Sequence, residues 1–130
     1  MATYLLASGL LALVVSAAHS LLGEFLIFRH LRVGGLVPAL EAPPLKERHI
    51  RILWATWHLA TVFGWALAAV LLRLASTGGH SSLQLFVLNA LTLAFLGGAA
   101  LVLLATKGRH PGWVGLAAVA LLTWLAASAA

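Results

Sequence analysis

Cysteine is absent from the 130 residues, which removes thiol–disulfide chemistry, Cys-ligated zinc, iron–sulfur clusters and thioether-linked haem from consideration. Any metal has to be held by His, carboxylate or backbone oxygen. Charge is nearly as scarce, with eight Lys+Arg and three Asp+Glu against 62% hydrophobic residues. That is too little charge to cover a water-soluble globule. A nucleotide-binding fold, a secreted disulfide scaffold and a soluble catalytic domain are therefore excluded together. The expected class is an all-α polytopic membrane protein whose first partner is the lipid bilayer. The formal charge of +5 does not point to nucleic acid, because the basic residues sit at the ends of apolar runs, where membrane topology expects them.

Four apolar stretches are present, at about residues 4–28, 52–72, 83–105 and 112–130. Each is long enough to be a membrane-crossing helix, which needs roughly 20 residues. Gly34, Gly35, Pro38, Pro43 and Pro44 break the first connection, and its apolar Leu36, Val37 and Leu40 suggest a segment lying on the membrane surface. The second connection, residues 76–82, is polar and glycine-containing, and the third, residues 107–111, ends in a proline suited to the first turn of a helix. Short loops predict antiparallel neighbours, so the chain reads as one up-and-down four-helix domain over residues 1–130.

Seven of the eight Lys and Arg fall on one side of this arrangement: Arg29, Arg32, Lys46, Arg48, Arg51, Lys107 and Arg109, with Arg73 alone on the other. The positive-inside rule then places loops one and three in the cytoplasm and both termini outside, as in a bacterial inner membrane. Residues 5–18 have the look of a secretory signal. However, no Lys or Arg precedes the run and its hydrophobicity continues to Phe28, so an uncleaved span is expected.

Ionisable side chains at membrane depth need a reason, and His19, Glu24 and His58 are the informative ones. Measured from the basic boundary, His19 lies about 15 Å deep, His58 about 10 Å and Glu24 about 7 Å. At 100° per residue, Ala12, Ser16, Gly23 and His30 share the direction of His19 to within about 60°. Arg51, Trp54, Thr61 and Trp65 do the same for His58. On the third helix Ala90, Ala94 and Gly98 recur at four-residue spacing, and Gly97 and Gly98 are level with the two histidines.

Two expectations follow for the chemistry. In the first, His19 and His58 are ligands from separate helices to haem b or another metal. Arg51 and His110 would then meet the propionates, and Trp54, Trp65, Gly97 and Gly98 would form the walls. Such a site suits redox or Lewis-acid chemistry on a small apolar molecule or quinone. In the second, Glu24 and His58 serve as proton-handling, catalytic groups of a proton-coupled small-molecule transporter, with Glu24 paired to Arg29, Arg51 or His58. Both compete with a structural reading, in which a membrane His simply bonds a hydroxyl or carbonyl across the bundle and the protein is an accessory subunit. Self-association, or packing into a larger membrane complex, is expected because four short helices leave small-residue faces unpaired. His80 is assigned no role.

In length, helix count and a Glu in its first span, the chain resembles the small multidrug transporters, from whose dual-topology members its one-sided charge departs. As a small four-helix membrane protein with a possible haem slot between helices, it is also similar to styrene oxide isomerase. Both likenesses are architectural, no motif aligns with either, and no residue is carried over.

If the two imidazoles hold haem, the detergent-purified protein shows a Soret absorption band that His19→Ala or His58→Ala abolishes. A colourless sample without metal by elemental analysis leaves the transporter and accessory readings.

Overall fold

A computed structural model describes residues 1–77 and 81–129. Residues 78–80, the middle of the expected second connection with His80, and residue 130 at the expected end of the fourth span lie outside the described part. The architecture is all-α and fits a helical bundle. It consists of α1 (Ala2–Leu26), a 3₁₀ turn (Phe28–Leu31), α2 (Glu47–Ser76), α3 (Ser82–Thr106) and α4 (Gly112–Ser128). Among the described residues α1, α2 and α3 are long and apolar enough to cross a membrane, consistent with an integral membrane protein. Helix α4 is apolar but has 17 residues, about 26 Å of rise, which is less than the hydrocarbon thickness of about 30 Å.

The boundaries have local causes. Helix α2 starts at Glu47, five residues before the apolar run, because Glu47 carries a carboxylate to the helix N-terminus and pairs with Arg51 one turn on, at 2.7 Å. The apolar run marks only part of that helix. The hydroxyl of Ser81 caps α3 by accepting the amide of Gln84 at 3.1 Å. Its other end closes with Lys107 in the left-handed region (φ 51°) and Gly108 at φ 74°, whose amide donates to the Leu103 carbonyl at 2.8 Å. His110 Nδ1 then accepts the amide of Gly112 at 3.0 Å, at the entry to α4.

The chain divides into two compact units, residues 1–15 with 64–130 and residues 16–63. In the first, α3 packs on α4, and the core is built from Leu5, Ala12, Ala68, Leu71, Leu88, Leu91, Phe95, Val119 and Ala120. Leu83, Phe86, Leu101 and Leu104 point outward, each at least 70% exposed, an apolar outer face consistent with an integral membrane protein. The two fully buried hydroxyls of the unit are paired. Ser8 Oγ meets Thr123 Oγ1 at 2.7 Å, and both hydroxyls reach the Val119 carbonyl, at 3.2 and 2.8 Å. Helices come close where side chains are smallest. A Cβ on Gly9 would lie 2.7 Å from Leu72 Cγ, and one on Gly115 would lie 2.8 Å from Val15 Cγ2.

Close approach makes Gly9 and Gly97 respond oppositely to a methyl group. A Cβ on Gly97 meets nothing within 4 Å among the described residues, so Gly97→Ala is expected to stabilise by about 0.5–1 kcal/mol through helix propensity. Gly9→Ala forces Leu72 aside and is expected to destabilise by about 1–3 kcal/mol. Thermal unfolding in detergent reads the two shifts, and shifts of the same sign would refute the packing.

Candidate functional site

In the second unit, residues 16–26 of α1 and 47–63 of α2 bring together a set of polar and aromatic side chains. The spacing begins with Gly23. A Cβ there would overlap the indole of Trp57, so glycine lets the indole lie directly against the α1 backbone. Trp57 Nε1 accordingly donates to the His19 carbonyl at 2.9 Å. The His19 ring stacks on the Trp57 ring with centroids 4.4 Å apart and planes 8° from parallel. Phe28, buried in the 3₁₀ turn, meets Trp57 edge-on at 5.7 Å. This aromatic contact is a membrane-compatible clamp, because the polar edge of the indole finds a carbonyl while its faces stay apolar.

Glu24 lies one residue beyond Gly23. Its Oε1 is ion-paired with Arg32 Nη2, and its Oε2 accepts from Trp54 Nε1 at 3.3 Å. The same Oε2 lies 3.6 Å from His58 Nε2, within ion-pair reach and beyond hydrogen-bond length. The other imidazole nitrogen, Nδ1, is 2.5 Å from Ser20 Oγ. Ser20 Oγ also accepts from Thr61 Oγ1 at 3.1 Å, and the Thr61 hydroxyl reaches the Ser16 carbonyl at 3.2 Å. Trp54 closes the group, edge-on to the His58 ring at 4.9 Å. The side chains of Glu24, Arg32 and His58 are 24%, 29% and 28% exposed. A hydrogen-bonded chain therefore runs from the Nδ1 edge of one imidazole through two hydroxyls to a helix carbonyl, and a half-buried ion pair stands 3.6 Å from the other edge of the ring.

Of the residues singled out in the sequence, Glu24, His58 and Trp54 come together in this unit, and His19 lies in the same unit against Trp57. Arg51 does not join the group, because it pairs with Glu47 at the exposed start of α2. Arg29, an expected partner of Glu24, instead donates to His30 Nε2 at 3.1 Å and covers the Phe25 ring. The reason is the end of α1 at Leu26. Ile27 leaves the helical region (φ −124°, ψ −68°), the chain tightens into the 3₁₀ turn, and Arg32 rather than Arg29 reaches the carboxylate. Trp65, Gly97, Gly98 and His110 belong to the first unit. There Trp65 is half exposed, a Cβ on Gly98 would touch Leu116 at 3.5 Å, and His110 caps α4.

Sequence reasoning missed Ser20, Arg32 and Trp57. Ser20 stands four residues before Glu24, hence on its face, and centring the helical projection on Glu24 instead of His19 would have found it. For a metal, the donor chemistry is a partial match. Both nitrogens of His58 face other groups, and among the described residues no three His or carboxylate side chains converge on a metal position. Haem, however, asks for only two imidazoles. No protein-family model, curated protein or solved structure matches the chain.

The ion pair is separable from the rest by a double-mutant cycle. Arg32→Ala leaves a half-buried carboxylate uncompensated, so Arg32→Ala and Glu24→Gln are expected to couple by about 1–3 kcal/mol in unfolding measured in mixed micelles. The exposed pair Arg51–Glu47 is expected to couple by about 0–1 kcal/mol. Additive effects at Arg32 and Glu24 would show that the pair does not form.

Proposed function

We propose that this is a small integral membrane protein whose Glu24–His58–Ser20 group takes up and releases protons to drive the movement of a small molecule across the bilayer. The observation that carries the reading is the carboxylate itself. Glu24 Oε2 faces His58 Nε2 at 3.6 Å and accepts from Trp54, while Oε1 is ion-paired with Arg32. Carboxyl and imidazole groups set into apolar helices are the usual elements of proton relays. Ser20 and Thr61 continue the hydrogen-bonded path past the imidazole, and a proton leaving His58 through Nδ1 would pass to Ser20 once the hydroxyls reverse their donor–acceptor sense. Movement of the carboxylate away from Arg32 would change the charge balance of the whole group, and this is how protonation becomes linked to a rearrangement of helices.

The arrangement we favour is an up-and-down bundle of antiparallel helices in a bacterial cytoplasmic membrane. Both termini face outside, loops one and three face the cytoplasm, and the apolar outer faces are shared with lipid and with further copies of the chain. In this reading α4 crosses as a short, locally mismatched span, at a modest cost to the bilayer. Haem or metal chemistry on a quinone or other apolar molecule is less well supported. Ligation through His58 Nδ1 requires it to leave Ser20, ligation through Nε2 places the metal beside the Glu24 carboxylate, and the His19 ring lies flat on an indole. An accessory subunit would not require the hydroxyl path at all.

Proteoliposomes with a trapped pH-sensitive dye test the proposal against a panel of small organic cations, anions and neutral solutes. At least one class is expected to drive proton flux with the wild type. Glu24→Gln and His58→Gln are expected to lower it on the order of 100-fold, while Arg51→Gln leaves it intact. Flux that survives Glu24→Gln, or no flux with any solute class, would overturn the reading.

A further inference from the structure

The connection from α1 to α2 is ordered, yet it turns apolar side chains outward. The Leu31 carbonyl accepts the amides of both Ala39 and Leu40 at 2.9 Å, closing a loop around the fully buried Pro38. Gly34, at φ +96°, makes the outer turn. Backbone bonds between Ala42 and Leu45, at 3.1 and 2.8 Å, fix the return. On this framework Leu36 is 71% exposed and Val33 67%. A loop held this firmly by its own backbone, and facing water, has no physical reason to display large aliphatic residues.

Cations flank the same surface. Of the Lys and Arg in the second unit, Arg32 is held by Glu24 and Arg51 by Glu47. Arg29, Lys46 and Arg48 are exposed, and no ion pair engages them among the described residues. Arg29 and Arg48 each donate through Nε to the imidazole of the next residue, at 3.1 and 3.3 Å. Neither guanidinium is compensated by a carboxylate among the described residues, and guanidinium donors suit phosphate oxygens. The loop joins two helices long and apolar enough to cross a membrane, so it has to emerge at a bilayer surface.

We propose that this loop docks onto the anionic phospholipid surface of the bilayer. Val33 and Leu36 enter the acyl boundary, and Arg29, Lys46 and Arg48 bind headgroup phosphates. Outward aliphatic residues interleaved with uncompensated cations match both layers of such a surface. A protein partner would have to supply an acidic face and an apolar pocket together. The proposal does not depend on the proton-handling site, because none of its residues belongs to that group.

The absence of cysteine permits a clean test. Leu36→Cys carries an environment-sensitive fluorophore in the full-length protein, reconstituted into nanodiscs with lipids brominated high on the acyl chain. With phosphatidylglycerol present the label is expected to be quenched by the bromines and shielded from aqueous iodide. In pure phosphatidylcholine, or with Arg29, Lys46 and Arg48 all changed to Gln, it is expected to return to water. Each lost cation is expected to weaken partition of the loop by about fivefold. A label open to iodide in every membrane overturns the proposal, as does one shielded from iodide without bromine quenching, which indicates protein contact. Bromine quenching that is indifferent to headgroup charge and to the triple substitution overturns the assignment to anionic headgroups. Unchanged helicity and elution of the triple variant establish that it is folded.

Discussion

A carboxylate carried on an apolar helix has to be compensated where it stands, and the arrangement of residues 16–63 follows from that requirement at Glu24. Ionised, Glu24 offers only acceptors. Its two oxygens need donors in a region where water cannot be relied upon. Arg32 answers one, Trp54 answers the other, and His58 stands at the second oxygen in reserve. Meeting that demand requires the chain to leave the helical path after Leu26, so that a cation from beyond the helix end folds back. The 3₁₀ turn is thus an electrostatic device as much as a connector. It trades one further turn of α1 for a partner to the buried charge.

Small residues set how closely the polar groups approach. Gly23 admits the Trp57 indole to the α1 backbone, and the bond from Trp57 to the His19 carbonyl ties the helix ladders together at that level. One residue along α2, His58 then meets Ser20 and Glu24 at short range. In lipid, where burying apolar surface gives helices no net drive to associate, such close packing and interhelical hydrogen bonds are what remains to hold them. The first unit uses the same two means at different residues, with Gly9 beneath Leu72 and the Ser8–Thr123 pair bridged to the Val119 carbonyl.

Much of this was legible in the sequence. Long apolar runs revealed the helices because the requirement for internal hydrogen bonding leaves few other solutions for such composition. The 100° projection placed Trp54 and Thr61 beside His58, and both touch the polar group. What the sequence hid was set by backbone departures from regularity. Nothing in Ile27–Phe28–Arg29–His30–Leu31 signals a break: there is no glycine or proline, and each residue tolerates a helix. Projecting α1 straight through it offered Arg29 as a partner of Glu24 beside Arg51 and His58, when the tightened turn delivers Arg32 and, of the three, His58 alone lies within ion-pair reach. Hydropathy likewise fixed the apolar length of α2 but not its start, since a helix continues wherever its caps and i,i+4 pairs allow. Trp57 escaped notice because an indole in a membrane helix reads first as an interface anchor, and only the cleft over Gly23 gives it a different purpose.

The two ends of His58 make the polar group directional. A neutral imidazole has one donor nitrogen and one acceptor, so the Ser20 hydroxyl and the Glu24 carboxylate constrain the same ring from opposite sides. A carboxylate can only accept, which favours a proton on Nε2 and leaves Nδ1 to accept from Ser20. Ser20 can supply that proton because Thr61 satisfies its oxygen from the other side. Moving a proton through the ring therefore requires the hydroxyl chain to reverse its orientation, each oxygen turning from donor to acceptor in sequence. A merely structural histidine would be satisfied by one such contact. Here the Nδ1 edge of the imidazole meets a hydroxyl chain while its Nε2 edge lies 3.6 Å from the carboxylate of an ion pair, so both edges of the ring, and not one, are set against polar groups.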